Sequence, residues 1–230
     1  IVVNLIGQYI NNDSDFIDLN LKGSLNLLNS CVKNNIKNII LISTINVYGN
    51  SINVSSNEES ELSPQTNYGL IKLLTEELYR QFSRIYDLNI TILRLSNIFG
   101  PNKKAGYISH LINSSVFNHQ KISAYNNGNQ YRDVLFIDDA IDGIIKSLKK
   151  PLKGFNIFNI SSGTKFSINE IIKEIEKISN QKLNIEYTNE IPDESCIWAD
   201  NSKAKNVLNF SPKTSLHDGI ETTINYLKTH

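Results

Sequence analysis

The stretch "NIILIST", residues 38–44, decides the fold that the sequence predicts. Its residues from Ile39 to Ile42 are all apolar, which is typical of a parallel strand covered on both faces. Comparable apolar runs recur along the chain, and longer amphipathic stretches separate them. The strand candidates are 1–6, 38–44, 89–96, 133–137 and 155–161, and the helix candidates between them are 14–34, 65–86 and 138–149. This alternation predicts an α/β fold with an open parallel sheet and right-handed crossovers.

The remaining segments predict a second, smaller lobe. A helix candidate lies near 107–118, and Ser167 and Glu170 have the spacing of a capping box at the start of another helix. The last third of the chain adds helix candidates at 167–179, 202–208 and 215–228, and a polar strand candidate at 183–188. We expect 102–132 and 162–230 to pack together as a small α/β lobe over the carboxyl ends of the strands, where such sheets bind ligands.

The composition argues against several classes of function. The 230 residues carry 23 Lys and Arg against 23 Asp and Glu, so no basic field favours nucleic acid or an anionic membrane. No apolar run approaches the roughly 18 residues that would span a bilayer. The two cysteines and four histidines show no spacing typical of a metal site, and such sparse cysteine use fits a reducing compartment. We therefore expect a cytoplasmic protein with no metal centre.

Tyr68 and Lys72 are the first candidates for chemistry. They lie four residues apart in "TNYGLIK", at the start of a predicted helix, so both belong to one helix face. A nearby cation lowers the pKa of a phenol, and a tyrosine prepared in this way can exchange a proton with a hydroxyl or a carbonyl group. The alternative is that the two residues form an ordinary pair on a helix surface.

Thr44 is the third candidate, because it ends the strand that immediately precedes this helix. Ser43 and Thr44 together place hydroxyl groups at the carboxyl edge of the sheet, where they can hydrogen-bond a substrate oxygen. The alternative for Thr44 is that its hydroxyl only caps the end of the strand.

Seven segments in order resemble the extended short-chain dehydrogenase/reductases, the NAD-dependent sugar epimerase/dehydratase family. Any one of them is a weak signal, but the ordered set is specific for the family and covers nearly the whole chain. The segments are "NLIG" 4–7, "NLKGSLNLL" 20–28, "STINVYG" 43–49, "YGLIK" 68–72, "LRLSNIFGP" 93–101, "GNQYRDVLFIDDA" 128–140 and "ADNSKAKNVLNFSPKTSLHDGI" 199–220. The resemblance implies a Rossmann-like, doubly wound sheet formed by 1–101 and rejoined by 133–161, with the smaller lobe binding substrate.

The resemblance also assigns roles to individual residues. It implies that Tyr68 is the acid/base, and that Lys72 polarises Tyr68 and holds the cofactor ribose. It places Thr44 against the substrate, and Asn20 and Leu95 on the cofactor side. The cofactor it implies is NAD, with NADP as an alternative, and the substrate is a nucleotide-activated sugar.

Asn97 and Arg132 match residues that hold the phosphate region of such a substrate. A guanidinium in a glycine-flanked loop suits phosphate oxygens, although Arg132 is also placed to form an ion pair with Asp133 or Asp138. Asp138 and Asp139 are interpreted as an N-cap and a first-turn charge of the next helix rather than as catalytic groups.

Two departures from the family pattern narrow the expected reaction. Dehydratases carry acidic residues directly after the strand-end Ser/Thr, whereas this chain has Ile45 and Asn46, so dehydration is disfavoured. Epimerisation and reduction of a keto-sugar both remain, because each needs only hydride transfer and Tyr68. Many members also have an Arg before a Pro-x-Asp, where this chain has Ile191, which implies that a second phosphate clamp is lost or supplied elsewhere.

The eleven glycines form no Gly-x-Gly-x-x-Gly pattern, which dinucleotide-binding folds place after their first strand. Because the chain opens inside an apolar run, "IVVNLIG", we expect it to be a truncated form whose first βαβ unit lies upstream. On its own it is then expected to bind the cofactor weakly and to turn over little substrate. The alternative function is a non-catalytic binding or regulatory member of the same fold. In either case family members commonly dimerise through helices that match 14–34 and 65–86.

Overall fold

The structure, a computed structural model, describes residues 1–6, 13–51, 53–103, 106–118, 120–190 and 196–230. Strands and helices alternate through most of this length, as the sequence predicts. The strands are β1 (Val2–Asn4), β2 (Asn38–Thr44), β3 (Asn89–Leu95), β4 (Asn97–Phe99), β5 (Ile122–Ala124), β6 (Tyr131–Phe136), β7 (Phe155–Ile160), β8 (Lys165–Ser167), β9 (Ile185–Tyr187) and β10 (Cys196–Ile197). The helices are α1 (Asp13–Ile17), α2 (Gly23–Lys33), α3 (Asn67–Tyr86), α4 (Tyr107–Asn113), α5 (Ile137–Lys149), α6 (Ile168–Ser179), α7 (Ser202–Leu208) and α8 (Leu216–Thr229).

The main sheet contains four parallel strands in the order β1–β2–β3–β7. Alternate residues of each strand point to opposite faces, so each face builds its own apolar core. Ile39 and Leu41 of β2 pack with residues of α2 and α3 on one face, whereas Ile40 packs with residues of α5 and α7 on the other. Helices on both faces give the doubly wound arrangement that continuous apolar strands indicate.

The strand predicted at 133–137 does not join this sheet, so its expected placement in the main sheet is wrong. It forms β6, which begins at Tyr131 and pairs in parallel with β4 and β10 and antiparallel with β8 in a second sheet. The partner strands are only two or three residues long, too short to leave a periodic signal in the sequence. The second sheet carries Asn97 and Arg132, the two predicted phosphate-binding residues, on neighbouring strands.

The segments around α4 and the tail of the chain pack against each other. Strand β5 pairs in parallel with β9, and Ile108 and Leu111 of α4 share one apolar cluster with Ile171 of α6 and Ile220 of α8. The capping box is present, since Ser167 and Glu170 exchange side-chain and backbone hydrogen bonds at the start of α6. The division into a nucleotide-binding part and a substrate lobe stays a proposal.

Two local features differ from the sequence-based expectation. The helix predicted at 14–34 contains a π-helical turn, Asp18–Lys22, between α1 and α2. Phe136 occupies the N-cap position of α5 without a side-chain hydrogen bond, so the predicted N-cap aspartate is wrong, and Asp138 and Asp139 both lie in the first turn. Asp139 is buried and accepts from the backbone N–H groups of Lys213 and Thr214, which confirms a structural contact for this carboxylate.

Candidate active site

The carboxyl ends of β2 and β3 bring Thr44 and Leu95 side by side, because these two residues are direct partners in the strand register. Thr44 is 7% exposed and caps the short helical turn Ile45–Val47. Its hydroxyl donates to Oδ1 of Asn46 and accepts from the Asn46 backbone N–H, both at 3.2 Å. Thr44 therefore does act as a cap, as the alternative interpretation states. The same hydrogen bonds hold its hydroxyl at the carboxyl edge of the main sheet.

Lys72 is almost completely buried against the same strand end. Its ammonium donates to the backbone carbonyl of Ile42 at 2.8 Å and to that of Ile6 at 3.3 Å. Burial disfavours the charged form and lowers the pKa of Lys72 to about 8, although the charge of Glu76 acts in the opposite direction. Lys72 therefore holds its proton less tightly than an exposed lysine does.

Tyr68 is the second residue of α3, and the first turn of this helix is held tightly in place. Thr66 caps the helix by accepting from the Gly69 N–H at 3.2 Å. A Cβ at Gly69 would lie 2.7 Å from the carbonyl oxygen of Asn46, so only glycine allows this approach. The close contact packs the residue next to Tyr68 onto the turn that Thr44 caps. Tyr68 itself is half-buried, and its ring stacks on Phe16 with centroids 5.9 Å apart.

Asn20 lies in the π-helical turn, which packs against α3. Its side chain is 1% exposed, and its amide Nδ2 donates to the carbonyl of Phe16 at 2.9 Å. Its Oδ1 has no hydrogen-bond partner among the described residues, which is costly for a buried oxygen unless a ligand or water supplies one. An unpaired acceptor at this position beside α3 fits the role that the resemblance implies for Asn20, which is to contact the cofactor.

A buried polar network behind Lys72 was not found from the sequence. Arg94 of β3 is fully buried and binds both oxygens of Glu76, with its Nη2 2.7 Å from Oε2. The Ser43 hydroxyl donates to the same carboxylate, and Arg94 Nη1 donates to the Tyr48 hydroxyl at 2.8 Å. Two features of the sequence nevertheless indicate this network. Glu76 lies one helical turn after Lys72, and an arginine inside an apolar strand needs a partner, because burying an unpaired charge is costly.

This network continues across the sheet. The Tyr48 hydroxyl donates to Asn159 of β7 at 2.8 Å, and the Asn159 amide donates to the carbonyls of Ser56 and Asp200. Burial raises the pKa of Tyr48 to about 12, with the Arg94 charge opposing the rise. Tyr48 therefore stays protonated and acts as a hydrogen-bond donor that links the site to the tail of the chain.

Asn97 and Arg132 line one cavity of about 60 Å³ between β4, β6 and the start of α4. Arg132 donates to the carbonyl of Tyr131 at 2.9 Å, and Asn97 donates to the carbonyl of Asp133 at 3.2 Å. Tyr107 lines the same cavity, and burial raises its pKa to about 12 against the opposing charge of Arg132. A guanidinium, an amide and a phenol therefore share one small cavity.

Asp133, one of two partners considered for Arg132, is occupied elsewhere. Its fully buried carboxylate accepts from the N–H and the hydroxyl of Ser162 and from the N–H of Ala199. Burial raises the pKa of this carboxyl group, and the hydrogen bonds from Ser162 oppose the rise. The other partner, Asp138, is exposed in the first turn of α5. The structure does not describe two residues that the sequence analysis used. They are Gly7, which ends the first family-like segment, and Ile191, which stands where many family members have an Arg.

Neither a metal centre nor a membrane-spanning helix is found in the part of the chain that the structure describes. No group of three or more His, Cys, Asp or Glu side chains there is arranged to hold a metal ion. None of the helices there combines the length and the apolar character that crossing a bilayer requires.

The fold, the ordered motifs and the site agree with one protein family. Residues 1–161 match the sequence model of the NAD dependent epimerase/dehydratase family, and the chain belongs to this family. Among its relatives are an uncharacterized UDP-glucose epimerase of Bacillus subtilis and a UDP-glucuronate 4-epimerase of Thermodesulfobacterium geofontis. Both are 32% identical to it, over 91% and 93% of this chain. The match covers 66% of the length of each relative, which is just under two thirds.

Solved structures confirm the α/β, Rossmann-like fold. The UDP-glucuronic acid 4-epimerase from Bacillus cereus, solved with UDP-glucuronic acid and NAD, is 30% identical and superposes with a TM-score of 0.88. This match covers 98% of the chain and 72% of the solved protein. A UDP-glucose 4-epimerase from Thermotoga maritima, solved with UDP-glucose, is 26% identical with a TM-score of 0.90, over 99% of this chain and 76% of that one.

Proposed function

We propose that the protein is an NAD-dependent epimerase of a nucleotide-activated sugar, with Tyr68 as the acid/base. The observation that carries this proposal is the position of Lys72 and Thr44 at the carboxyl end of β2, where Gly69, the residue next to Tyr68, packs on the turn that Thr44 caps. The family match and the nucleotide-sugar epimerases among the relatives support it.

The described residues fit the nicotinamide end of the cofactor. Asn20 offers an unpaired, buried oxygen, Lys72 offers an ammonium with a lowered pKa, and Leu95 gives an apolar strand end beside Thr44. NAD, when bound, accepts a hydride from the sugar and returns it. The printed sequence has no glycine triplet of the dinucleotide-binding pattern, so the residues proposed here concern only the nicotinamide and its ribose.

In this proposal Tyr68 takes the proton of the reacting sugar hydroxyl and later gives it back. A cation close to a phenol favours its phenolate form, and Lys72, one helical turn after Tyr68, would supply that cation. Thr44 hydrogen-bonds the sugar oxygen whose charge changes. Asn97 and Arg132 hold the phosphate region of the substrate in their shared cavity.

The residues after Thr44 favour epimerisation over dehydration. Ile45 is fully buried and Asn46 uses its amide oxygen to accept from Thr44, so neither supplies a carboxyl group for a second proton transfer. The proposed reaction therefore needs no group beyond the hydride carrier and Tyr68.

The direct test uses the complete gene product with NAD and, separately, UDP-glucose and UDP-glucuronate. Proton NMR of the sugar would show an epimer appearing with time and no loss of the hydroxyl at C6 of UDP-glucose. Formation of a keto-deoxy sugar would contradict the proposal, and NAD binding without any turnover would instead support the non-catalytic alternative.

We also propose that the protein forms a homodimer through 14–34 and 65–86. Ile17 and Leu25 on the first stretch and Leu70 and Leu74 on α3 are each at least 40% exposed, which is unusual for leucine and isoleucine on neighbouring helices. A Leu70→Glu, Leu74→Glu variant should sediment as a monomer where the natural chain sediments as a dimer. A natural chain that is already monomeric would contradict this proposal.

A further inference from the structure

Phe16 is the residue against which the ring of Tyr68 rests. Its side chain is 2% exposed, and the two rings are stacked, with an interplanar angle of 25° and centroids 5.9 Å apart. Tyr68 is only half-buried and belongs to the first turn of α3. The contact with Phe16 therefore covers one face of the Tyr68 ring.

Phe16 is in turn fixed by the π-helical turn that follows it. That turn, Asp18–Lys22, brings the buried amide of Asn20 to the Phe16 carbonyl, with Nδ2 2.9 Å from the oxygen. The same Asn20 side chain keeps its Oδ1 unpaired among the described residues. The π-helical turn thus links Phe16, which lies beneath Tyr68, to Asn20, which is proposed to face the cofactor. Such π-helical turns occur frequently at functional sites.

We propose that Phe16 is a positioning residue that holds the Tyr68 phenol at the angle needed for proton transfer. The inference rests on the proposed acid/base role of Tyr68. Proton transfer requires a heavy-atom separation of about 2.6–3.2 Å, so a small rotation of the ring removes the phenol oxygen from reach. An aromatic pair restricts that rotation through its preferred geometry, which an aliphatic side chain of similar size does not reproduce.

The test compares Phe16→Leu with Phe82→Leu in the complete gene product. Phe82 is a matched control, since it is also buried, at 8% exposed, and contacts Tyr86 with ring centroids 5.1 Å apart. Both variants remove a buried ring, but only the first removes the contact with Tyr68. Phe16→Met, whose unbranched and flexible side chain adapts better to the space left by a ring, replaces Phe16→Leu if the leucine variant does not fold.

Two readouts are needed, and one is independent of activity. With ring-labelled tyrosine, NMR signals of Tyr68 are assigned by their loss in Tyr68→Phe. Phe16→Leu should shift these signals, because the ring current of Phe16 is lost, whereas Phe82→Leu should leave them in place. In turnover, Phe16→Leu should lower kcat about tenfold to a hundredfold with little change in KM, the range expected for misplacement of a reacting group.

Equal kcat values for Phe16→Leu and Phe82→Leu would overturn the proposal, as would Tyr68 signals that do not move in Phe16→Leu. Full activity of Tyr68→Phe would overturn it together with the proposed function. The two failures are distinguishable. An inactive Tyr68→Phe beside a fully active Phe16→Leu rejects only the positioning role, whereas an active Tyr68→Phe rejects the acid/base role itself.

Discussion

Glu76 of α3 and Arg94 of β3 form a bidentate ion pair in the interior, with neither side chain more than 2% exposed. Burial by itself would lower the pKa of Arg94, but its hydrogen bonds to Glu76 and the charge of that carboxylate outweigh burial and raise the pKa above its ordinary value. The pair joins the helix that carries Tyr68 and Lys72 to the central strand of the sheet, so it fixes the helix relative to the strand ends.

Removing one member of this pair should strongly destabilise the protein. Glu76→Gln leaves the guanidinium of Arg94 buried without its counter-charge, which we expect to lower the free energy of unfolding by about 3–5 kcal/mol. Glu186→Gln is the control, because the Lys121–Glu186 pair is exposed and should contribute less than about 1 kcal/mol. Urea denaturation of both variants measures the difference. Equal losses would show that the buried pair does not hold the helix in place.

The lowered pKa of Lys72 predicts that the free energy of unfolding increases with pH in the alkaline range. Its pKa falls from 10.5, the ordinary lysine value, to about 8 in the folded protein, so the unfolded chain binds more protons between these two values. Stability attributable to Lys72 therefore rises as the pH increases from about 8 to about 10.5. At about 1.4 kcal/mol per pKa unit, the difference between 10.5 and about 8 corresponds to a total gain of about 3.5 kcal/mol.

Denaturation of the natural chain and of Lys72→Met at pH 7, 8.5 and 9.5 isolates this contribution, because other titrations are common to both proteins. The natural chain should gain stability relative to the variant as the pH rises. Lys121→Met, at an exposed site, is the control for removing a lysine side chain. A difference between Lys72→Met and the natural chain that does not change with pH would contradict the lowered pKa of Lys72.

Gly69 predicts a coupled loss of stability and activity. In Gly69→Ala the new methyl group would meet the Asn46 carbonyl oxygen at 2.7 Å, so the first turn of α3 must move away from the turn capped by Thr44. We expect a loss of about 1–3 kcal/mol in unfolding free energy, typical of overpacking, and a fall in kcat. Gly23→Ala is the matched control.

Gly23 is also helical, but a Cβ there would have no closer neighbour than the Asp18 carbonyl oxygen at 4.0 Å. This substitution should be neutral or stabilising by up to about 1 kcal/mol, and turnover should be unchanged. If Gly69→Ala were equally harmless, the close approach between α3 and the Thr44 turn would not position Tyr68.

Removing the Arg132 side chain should weaken the binding of the nucleotide sugar but not the binding of NAD. Arg132→Ala should raise KM for the nucleotide sugar about tenfold or more, because a charge-assisted hydrogen bond contributes about 1.5–3 kcal/mol. The affinity for NAD, measured by calorimetric titration, should change little. Substitution of Lys121, an exposed cation bound to Glu186, controls for a general effect of charge. An unchanged KM in Arg132→Ala would show that the guanidinium is structural.

The main features of the fold could be predicted because they depend on local signals. Runs rich in apolar residues mark β2, β3 and β7, and the capping box at Ser167 marks the start of α6 to within one residue. The second sheet could not be predicted in the same way, because β4 and β10 contain only three and two residues. Their pairing depends on contacts between segments far apart in the chain.

The site shows the same division between local and long-range information. The spacing of Tyr68 and Lys72 lies within one helix, and the meeting of Asn97 with Arg132 follows from motifs already present in the sequence. The Phe16–Tyr68 stack and the Glu76–Arg94 pair instead join residues separated by 52 and 18 positions, respectively. Whether two such side chains meet depends on a π-helical turn in one case and on strand register in the other, and neither has a recognisable sequence pattern.

The most direct test of the account follows a hydride and a proton in one reaction. The complete gene product, with NAD, is given UDP-glucuronate deuterated at C4, and the epimer is analysed by NMR and mass spectrometry. Hydride transfer to and from NAD predicts that the deuterium is retained at C4 of the product. General acid–base catalysis by Tyr68 predicts that Tyr68→Phe lowers kcat by about a hundredfold or more. Exchange of the deuterium with solvent, or full activity of Tyr68→Phe, would contradict hydride transfer with Tyr68 as the acid/base.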